Sequence, residues 1–140
     1  MRGKQEKIVK IPRVGKIKIR NCGVIKDANI EFKNGLNIIT GENASGKSTV
    51  VRFLINKFNP EKLSYAKKVM LQIDSILDGQ TIIMDDILSC LDRENLIKTL
   101  NRLSNSERQV ILTLNKRILS GIKDKIGANI IDTKNFKLKT

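Results

Sequence analysis

The chain has 140 residues, 40% of them apolar and 29% charged, which is the size and balance of one globular domain with a sizeable core. No run of about 18 apolar residues is present to span a membrane, and no apolar stretch follows the basic first ten residues as a signal peptide requires, so a cytoplasmic protein is expected. The complete absence of histidine excludes Ser-His-Asp, Cys-His and His-ligated metal chemistry together, and Cys22 and Cys90 are too few for a zinc site or a disulfide framework. They are expected as reduced thiols.

The net charge of +13 is unevenly placed. Residues 1–40 carry ten basic and three acidic side chains, residues 116–140 seven and two, and residues 81–115 four and five. Basic ends around a near-neutral middle suit a polyanionic partner such as DNA or another nucleic acid, because neutralising phosphates releases counterions. The same charge also fits a merely solvated surface, and no aromatic platform for stacking bases accompanies it: the chain has four Phe, one Tyr and no Trp.

In chain order, residues 16–20 (K-I-K-I-R) alternate with period two and predict a half-buried strand, as do residues 28–33. Asn34-Gly35 is then a turn of the type that closes a hairpin. Residues 36–40 (L-N-I-I-T) form a short buried strand. Val50, Val51, Leu54, Ile55 and Phe58 give residues 46–58 a helical spacing, which Pro60 ends. A second helix is expected over 63–77, a buried strand over 81–84, a third helix over 87–103 and a third buried strand over 109–113. A fourth helix over 116–126, a strand over 128–131 and an edge strand over 135–139 complete the order. Buried strands alternating with helices predict an α/β fold with a mainly parallel sheet, to which the front end adds antiparallel strands, all in a single domain.

Gly41-Glu42-Asn43-Ala44-Ser45-Gly46-Lys47-Ser48-Thr49 matches G-x-x-x-x-G-K-[ST] between a strand and a helix, the setting this phosphate-binding loop needs. Glycines at 41 and 46 let the backbone aim its N–H groups at phosphate oxygens, and the helix that follows adds its dipole. Lys47 would reach the β- and γ-phosphates of a nucleoside triphosphate, and Ser48 would ligate Mg²⁺. Residues 81–86 (T-I-I-M-D-D) are an apolar strand ending in two carboxylates, where a P-loop protein holds its magnesium. Asp85 is the expected metal ligand. Asp86 stands where it can orient or deprotonate an attacking water, or where it can cap the next helix.

Residues 84–95 (M-D-D-I-L-S-C-L-D-R-E-N) resemble the L-D-E-x-D-x-A-L-D-x-x-N segment of ABC-type ATPase heads. The loop G-E-N-A-S-G-K-S-T is similar to that of the SMC and RecF-like branch. Residues 19–32 (I-R-N-C-G-V-I-K-D-A-N-I-E-F) are similar to the strand pair that opens such heads, particularly the N-x-G-x-I-K-x-A pattern of OLD-like ATPases. The resemblance implies a Walker B role for Asp85 and the catalytic carboxylate's position for Asp86. It implies a D-loop at Ser89, Leu91 and Asp92, and a signature serine at Ser64 reaching the γ-phosphate held by a partner. It also implies a head-to-head homodimer closed on two ATP molecules.

Four features depart from that family. Leu63-Ser64-Tyr65-Ala66 lacks the two glycines of the usual L-S-G-G, so Leu63-Ser64 equally reads as a helix cap. Asp86 is one methylene shorter than the usual Glu, and a misplacement of about an ångström costs on the order of 100-fold in rate. Leu114 and Asn115 follow Thr113 where a switch histidine is usual. The long coiled coil and helical arm have no room between the loop helix and Leu63.

The reading is a miniature, armless ATPase head that hydrolyses ATP slowly and contacts DNA through its own basic surface. The candidates are Arg2, Lys4, Lys7, Lys10, Arg13, Lys16, Lys18 and Arg20 at one end and Lys116, Arg117, Lys123 and Lys125 at the other. Two alternatives stand beside it: a nucleotide-gated module without appreciable hydrolysis, and a small P-loop kinase, for which no Arg-rich lid is apparent. Met1 and the complete order of motifs predict a complete natural chain.

Overall fold

The structure, a computed structural model, describes residues 8–42, 44–58, 80–85, 88 and 91–139. Eight strands and three α-helices alternate along them: β1 (Ile8–Pro12), β2 (Lys16–Cys22), β3 (Ile25–Glu31), β4 (Leu36–Gly41), α1 (Lys47–Lys57), β5 (Gln80–Met84), α2 (Arg93–Ser104), β6 (Val110–Asn115), α3 (Lys116–Ser120), β7 (Asn129–Asp132) and β8 (Lys137–Leu138). Short 3₁₀ turns lie at Lys123–Lys125 and Thr133–Asn135. No helix among the described residues is long and apolar enough to cross a membrane.

The fold is mixed α/β, as the alternation of buried strands and helices predicts. One sheet has the order β1-β5-β6-β4-β7, with β5, β6, β4 and β7 parallel and β1 antiparallel on the edge. A second, antiparallel sheet has the order β2-β3-β8. β1 escapes the sequence reading because it is short, basic and ended by Pro12; an edge strand tolerates proline, which lacks a ladder donor.

The central parallel strands β4 and β6 are buried on both faces, which is why they read as continuous apolar runs. Ile39, Ile83 and Ile111 face α1 and the antiparallel sheet, packing with Val50, Val51 and Leu54 and with Ile19, Ile25, Ile30 and Phe32. Leu36, Ile38, Leu112 and Leu114 face the other way, against Leu96 and Leu100 of α2, Leu119 of α3 and Ile122.

Three expectations are corrected. Asn34-Gly35 closes no hairpin, because β3 and β4 belong to different sheets. The buried Asn37 side chain explains the exit from one sheet into the other: its Oδ1 accepts from Lys33 N (2.8 Å), and its Nδ2 donates to Lys33 O (2.8 Å), Gly35 O (3.2 Å) and Val110 O (3.1 Å). The hairpin lies instead between β2 and β3, at residues 22–25. The third helix begins at Arg93, since Asp92 is its N-cap and accepts from Asn95 N at 2.8 Å; Leu91 and Asp92 precede the helix. The fourth helix stops at Ser120 with Gly121 as its C-cap, and a 3₁₀ turn follows after Ile122. The helix expected over 63–77 lies outside the described residues.

Candidate nucleotide-binding site

Strand β4 delivers the phosphate loop to the C-terminal edge of the parallel sheet, where open α/β sheets bind ligands. α1 leaves the loop at Lys47. Its N-cap, Gly46, has φ +110°, a left-handed conformation that glycine adopts without penalty and a side chain would not. A Cβ there would also press on Ile25 at 3.1 Å. No side chain caps this helix start, and no acidic residue occupies its first turn, so its N–H groups remain available to an anion. Val50 N is the first to find its helical partner, Gly46 O, at 3.0 Å.

Ala44 is also left-handed, at φ +61°, which costs a residue with a Cβ about 1–2 kcal/mol. Two hydrogen bonds hold that turn: Ser45 N donates to Glu42 O (3.3 Å) and Ser45 Oγ donates to the same oxygen (2.6 Å). Left-handed residues at 44 and 46 give the loop the concave backbone form that gathers N–H groups around an anion. Lys47 is half-buried and folds over the loop, with Nζ donating to Gly41 O (2.8 Å) and, more weakly, to Glu42 O (3.5 Å). Gly41 is glycine for a steric reason: a Cβ would sit 1.8 Å from Thr133 Oγ1.

The carboxylate side of the site is reached through β6, which lies between β4 and β5. Ile39 is in register with Thr113, and Met84 with Leu112, so Asp85 follows the end of β5 beside Thr113. By strand alternation Asp85 and Thr113 face the same side as Ile83 and Ile111, the side that carries α1. Thr113 Oγ1 donates to Asp85 Oδ1 at 2.9 Å. Ser48 is exposed in the first turn of α1, and Thr49 is buried beneath the β2–β3 turn, where a Cβ on Gly23 would meet its side chain at 2.9 Å.

Among the described residues no group of three or more Cys, Asp or Glu is assembled, so none of them forms a metal cage by itself. One carboxylate, Asp85, and one hydroxyl, Ser48, are hard oxygen donors. Mg²⁺ is commonly held by such a sparse set and completed by substrate phosphates and water. The residues present therefore fit a nucleotide–magnesium pair.

Gly41, Glu42, Ala44, Ser45, Gly46, Lys47, Ser48, Thr49 and Asp85 all lie at this edge of the sheet. Asn43, Ser64 and Asp86 lie outside the described residues, as do Ser89 and Cys90. Sequence reasoning missed two residues. Thr113 left a faint signal, a hydroxyl in the apolar run V-I-L-T-L. Thr133 left none, being 88 residues from the serine that its hydroxyl meets.

Residues 16–56 match the family described as AAA domain. The matched stretch runs from the start of β2 nearly to the end of α1 and contains the whole phosphate loop. With the fold above, it supports a P-loop ATPase. The DNA repair protein RecN of Aquifex aeolicus (strain VF5) is 43% identical over 47 residues, 31% of this chain. The aligned part is 9% of that protein, so the chain spans less than a tenth of this relative's length. No solved structure matches the chain.

Proposed function

We propose that the chain binds ATP with Mg²⁺ in the loop 41–49, closes head to head on nucleotide with a second copy, hydrolyses ATP slowly and associates with DNA without sequence preference. The observation that carries this reading is the placement of the phosphate loop and Asp85 at the same edge of the sheet, one strand apart, with Asp85 held by Thr113 of the strand between them. The family match over the loop and the similarity to a protein named for DNA repair support it. The 21 residues between Phe58 and Gln80 are too few for a long coiled coil, which supports an armless head.

In this reading the loop amides and the N-terminus of α1 bind the phosphates, and Lys47 leaves the Gly41 carbonyl to contact the β- and γ-oxygens. Ser48 and Asp85 would hold Mg²⁺, which supplies charge neutralisation between the phosphates. Asp86 orients the attacking water, and Ser64 of each copy reaches the other's nucleotide.

A second reading, a nucleotide-gated module that scarcely hydrolyses, is favoured by Asn115. It follows Leu114 at the end of β6, where the resembling family carries its switch histidine. Its Oδ1 is engaged as the cap of α3, accepting from Arg117 N at 2.8 Å. Asp86, with its shorter side chain, points the same way.

The test is the solution mass with no nucleotide, with ADP–Mg²⁺ and with ATP–Mg²⁺, with phosphate release followed in the same samples. A dimer only with ATP is expected, and a monomer in all three states overturns the composite site. Lys47→Ala is expected to abolish ATP binding. Asp86→Glu is expected to raise turnover; an unchanged or lower rate assigns Asp86 a structural role.

A further inference from the structure

The phosphate loop is tied to the C-terminal segment as well as to the strand and helix that flank it. Thr133, 2% exposed, opens the 3₁₀ turn after β7. Its Oγ1 donates to Ser45 Oγ at 2.7 Å, and Ser45 Oγ in turn donates to Glu42 O at 2.6 Å. The turn that carries Thr133 is itself fixed, because Asp132 Oδ1 accepts from Lys134 N at 3.0 Å. Beyond it, Phe136 stands 3.7 Å from where a Cβ on Gly46 would be. β8 then joins the antiparallel sheet, and Lys139 N donates to Val24 O (2.9 Å) at the β2–β3 turn. One short segment thus bonds the loop through Thr133, passes near Gly46 and ends on the hairpin beside it.

We infer that Thr133 is a positioning residue for the nucleotide site, acting through Ser45. The loop turn it braces contains the left-handed Ala44, a conformation that persists only where its surroundings hold it. The relay from Thr133 through Ser45 to the Glu42 carbonyl supplies that hold before any ligand arrives. A loop already shaped for phosphate loses less freedom on binding, and affinity rises accordingly. The close approach of Thr133 also accounts for Gly41, since any side chain there would collide with the Thr133 hydroxyl.

The inference rests on the reading of the loop as a nucleotide site, and the experiment separates the two. ATP–Mg²⁺ binding is measured by calorimetry for the wild type, Lys47→Ala, Thr133→Val, Thr133→Ser and Ser45→Ala, with thermal unfolding of each in the absence of nucleotide. Thr133→Val keeps the shape and removes the hydroxyl; it is expected to weaken ATP binding about tenfold, the loss of one well-placed hydrogen bond. Thr133→Ser restores the donor and is expected to bind within twofold of wild type. Ser45→Ala, a change in a loop side chain that the folded core does not need, is expected to match Thr133→Val. The double variant is expected to be no weaker than either alone, because both break one relay. Wild-type affinity in Thr133→Val or Ser45→Ala, or equal loss in Thr133→Ser and Thr133→Val, overturns the brace and leaves the nucleotide reading standing. A wild type that binds no better than Lys47→Ala overturns the nucleotide reading and the brace with it.

Discussion

Asp85 has a hydroxyl partner in Thr113, and that contact decides which way its carboxylate points. A lone acidic side chain at a strand end rotates freely. Here Oδ1 is held at 2.9 Å by a residue that is 4% exposed, so the carboxylate is pre-set for a ligand on the α1 face. Thr113→Val keeps the volume and removes the donor. A hydrogen bond to a charged group is worth about 1.5–3 kcal/mol, so the Mg²⁺ concentration for half-maximal ATP binding is expected to rise on the order of tenfold. A magnesium titration of ATP binding checks this, and Thr113→Ser is expected to restore the wild-type midpoint. Asp92, which the resemblance assigns to a D-loop, is engaged in capping α2. Asp92→Ala is expected to cost about 1 kcal/mol in a urea unfolding curve, the usual worth of an N-cap.

At the level of elements, two buried amides hold the sheets in their places. Gln109, 4% exposed, accepts on Oε1 from Val14 N (2.9 Å) and from Thr81 Oγ1, and donates through Nε2 to Val14 O (2.8 Å) and Lys33 O (3.1 Å). It thereby joins the segment after β1, the segment after β3, β5 and the start of β6. Asn37 does the same at the root of β4 and is joined by Asn129 Nδ2 at 2.8 Å. Truncating either leaves several buried backbone groups unpaired, at about 1–3 kcal/mol each. Gln109→Ala is therefore expected to lose at least about 2 kcal/mol of stability in denaturant titration. Gln109→Glu is expected to lose stability as well, since an ionised carboxylate cannot donate to Val14 O and Lys33 O.

Over the molecule as described, the two basic ends are unequal; Arg2, Lys4 and Lys7 lie outside the described residues. Lys16, Lys18 and Arg20 do share the exposed face of β2, as alternation predicts. Across the strand pair, however, Lys16 faces Glu31 and Arg20 faces Asp27, the latter with Arg20 Nε 4.0 Å from the carboxylate. Those two carboxylates offset much of that row's field locally. Lys116, Arg117, Lys123 and Lys125 are all exposed, with Asp124 as the one acidic residue in residues 116–125. If the protein meets DNA as proposed, replacing these four with Ala is expected to flatten the dependence of log K on log salt by up to roughly 0.9 for each phosphate no longer neutralised. The triple change in β2 is expected to flatten it less. Filter binding at several salt concentrations, with one duplex and an unrelated one, measures both the slope and the absence of sequence preference.

What the sequence determined by itself was local in origin. The phosphate loop was legible because its glycines, Lys47 and Ser48 are needed at fixed spacing by backbone geometry and phosphate chemistry. α1 was legible from its apolar stripe, and the central parallel strands β4 and β6 from runs of residues buried on both faces. The tertiary structure decided everything that depends on which distant segments meet. It put β3 and β4 in different sheets despite the turn between them, because Asn37 reaches Val110, 73 residues away. It set β6 between the loop strand and Asp85, and so gave Asp85 its partner 28 residues away. It brought Thr133 onto Ser45, and it set acidic residues opposite the basic row of β2. Periodicity and turn chemistry act over a few residues, whereas strand order and register are chosen by burial and hydrogen bonding across the whole chain, which no short window of sequence records.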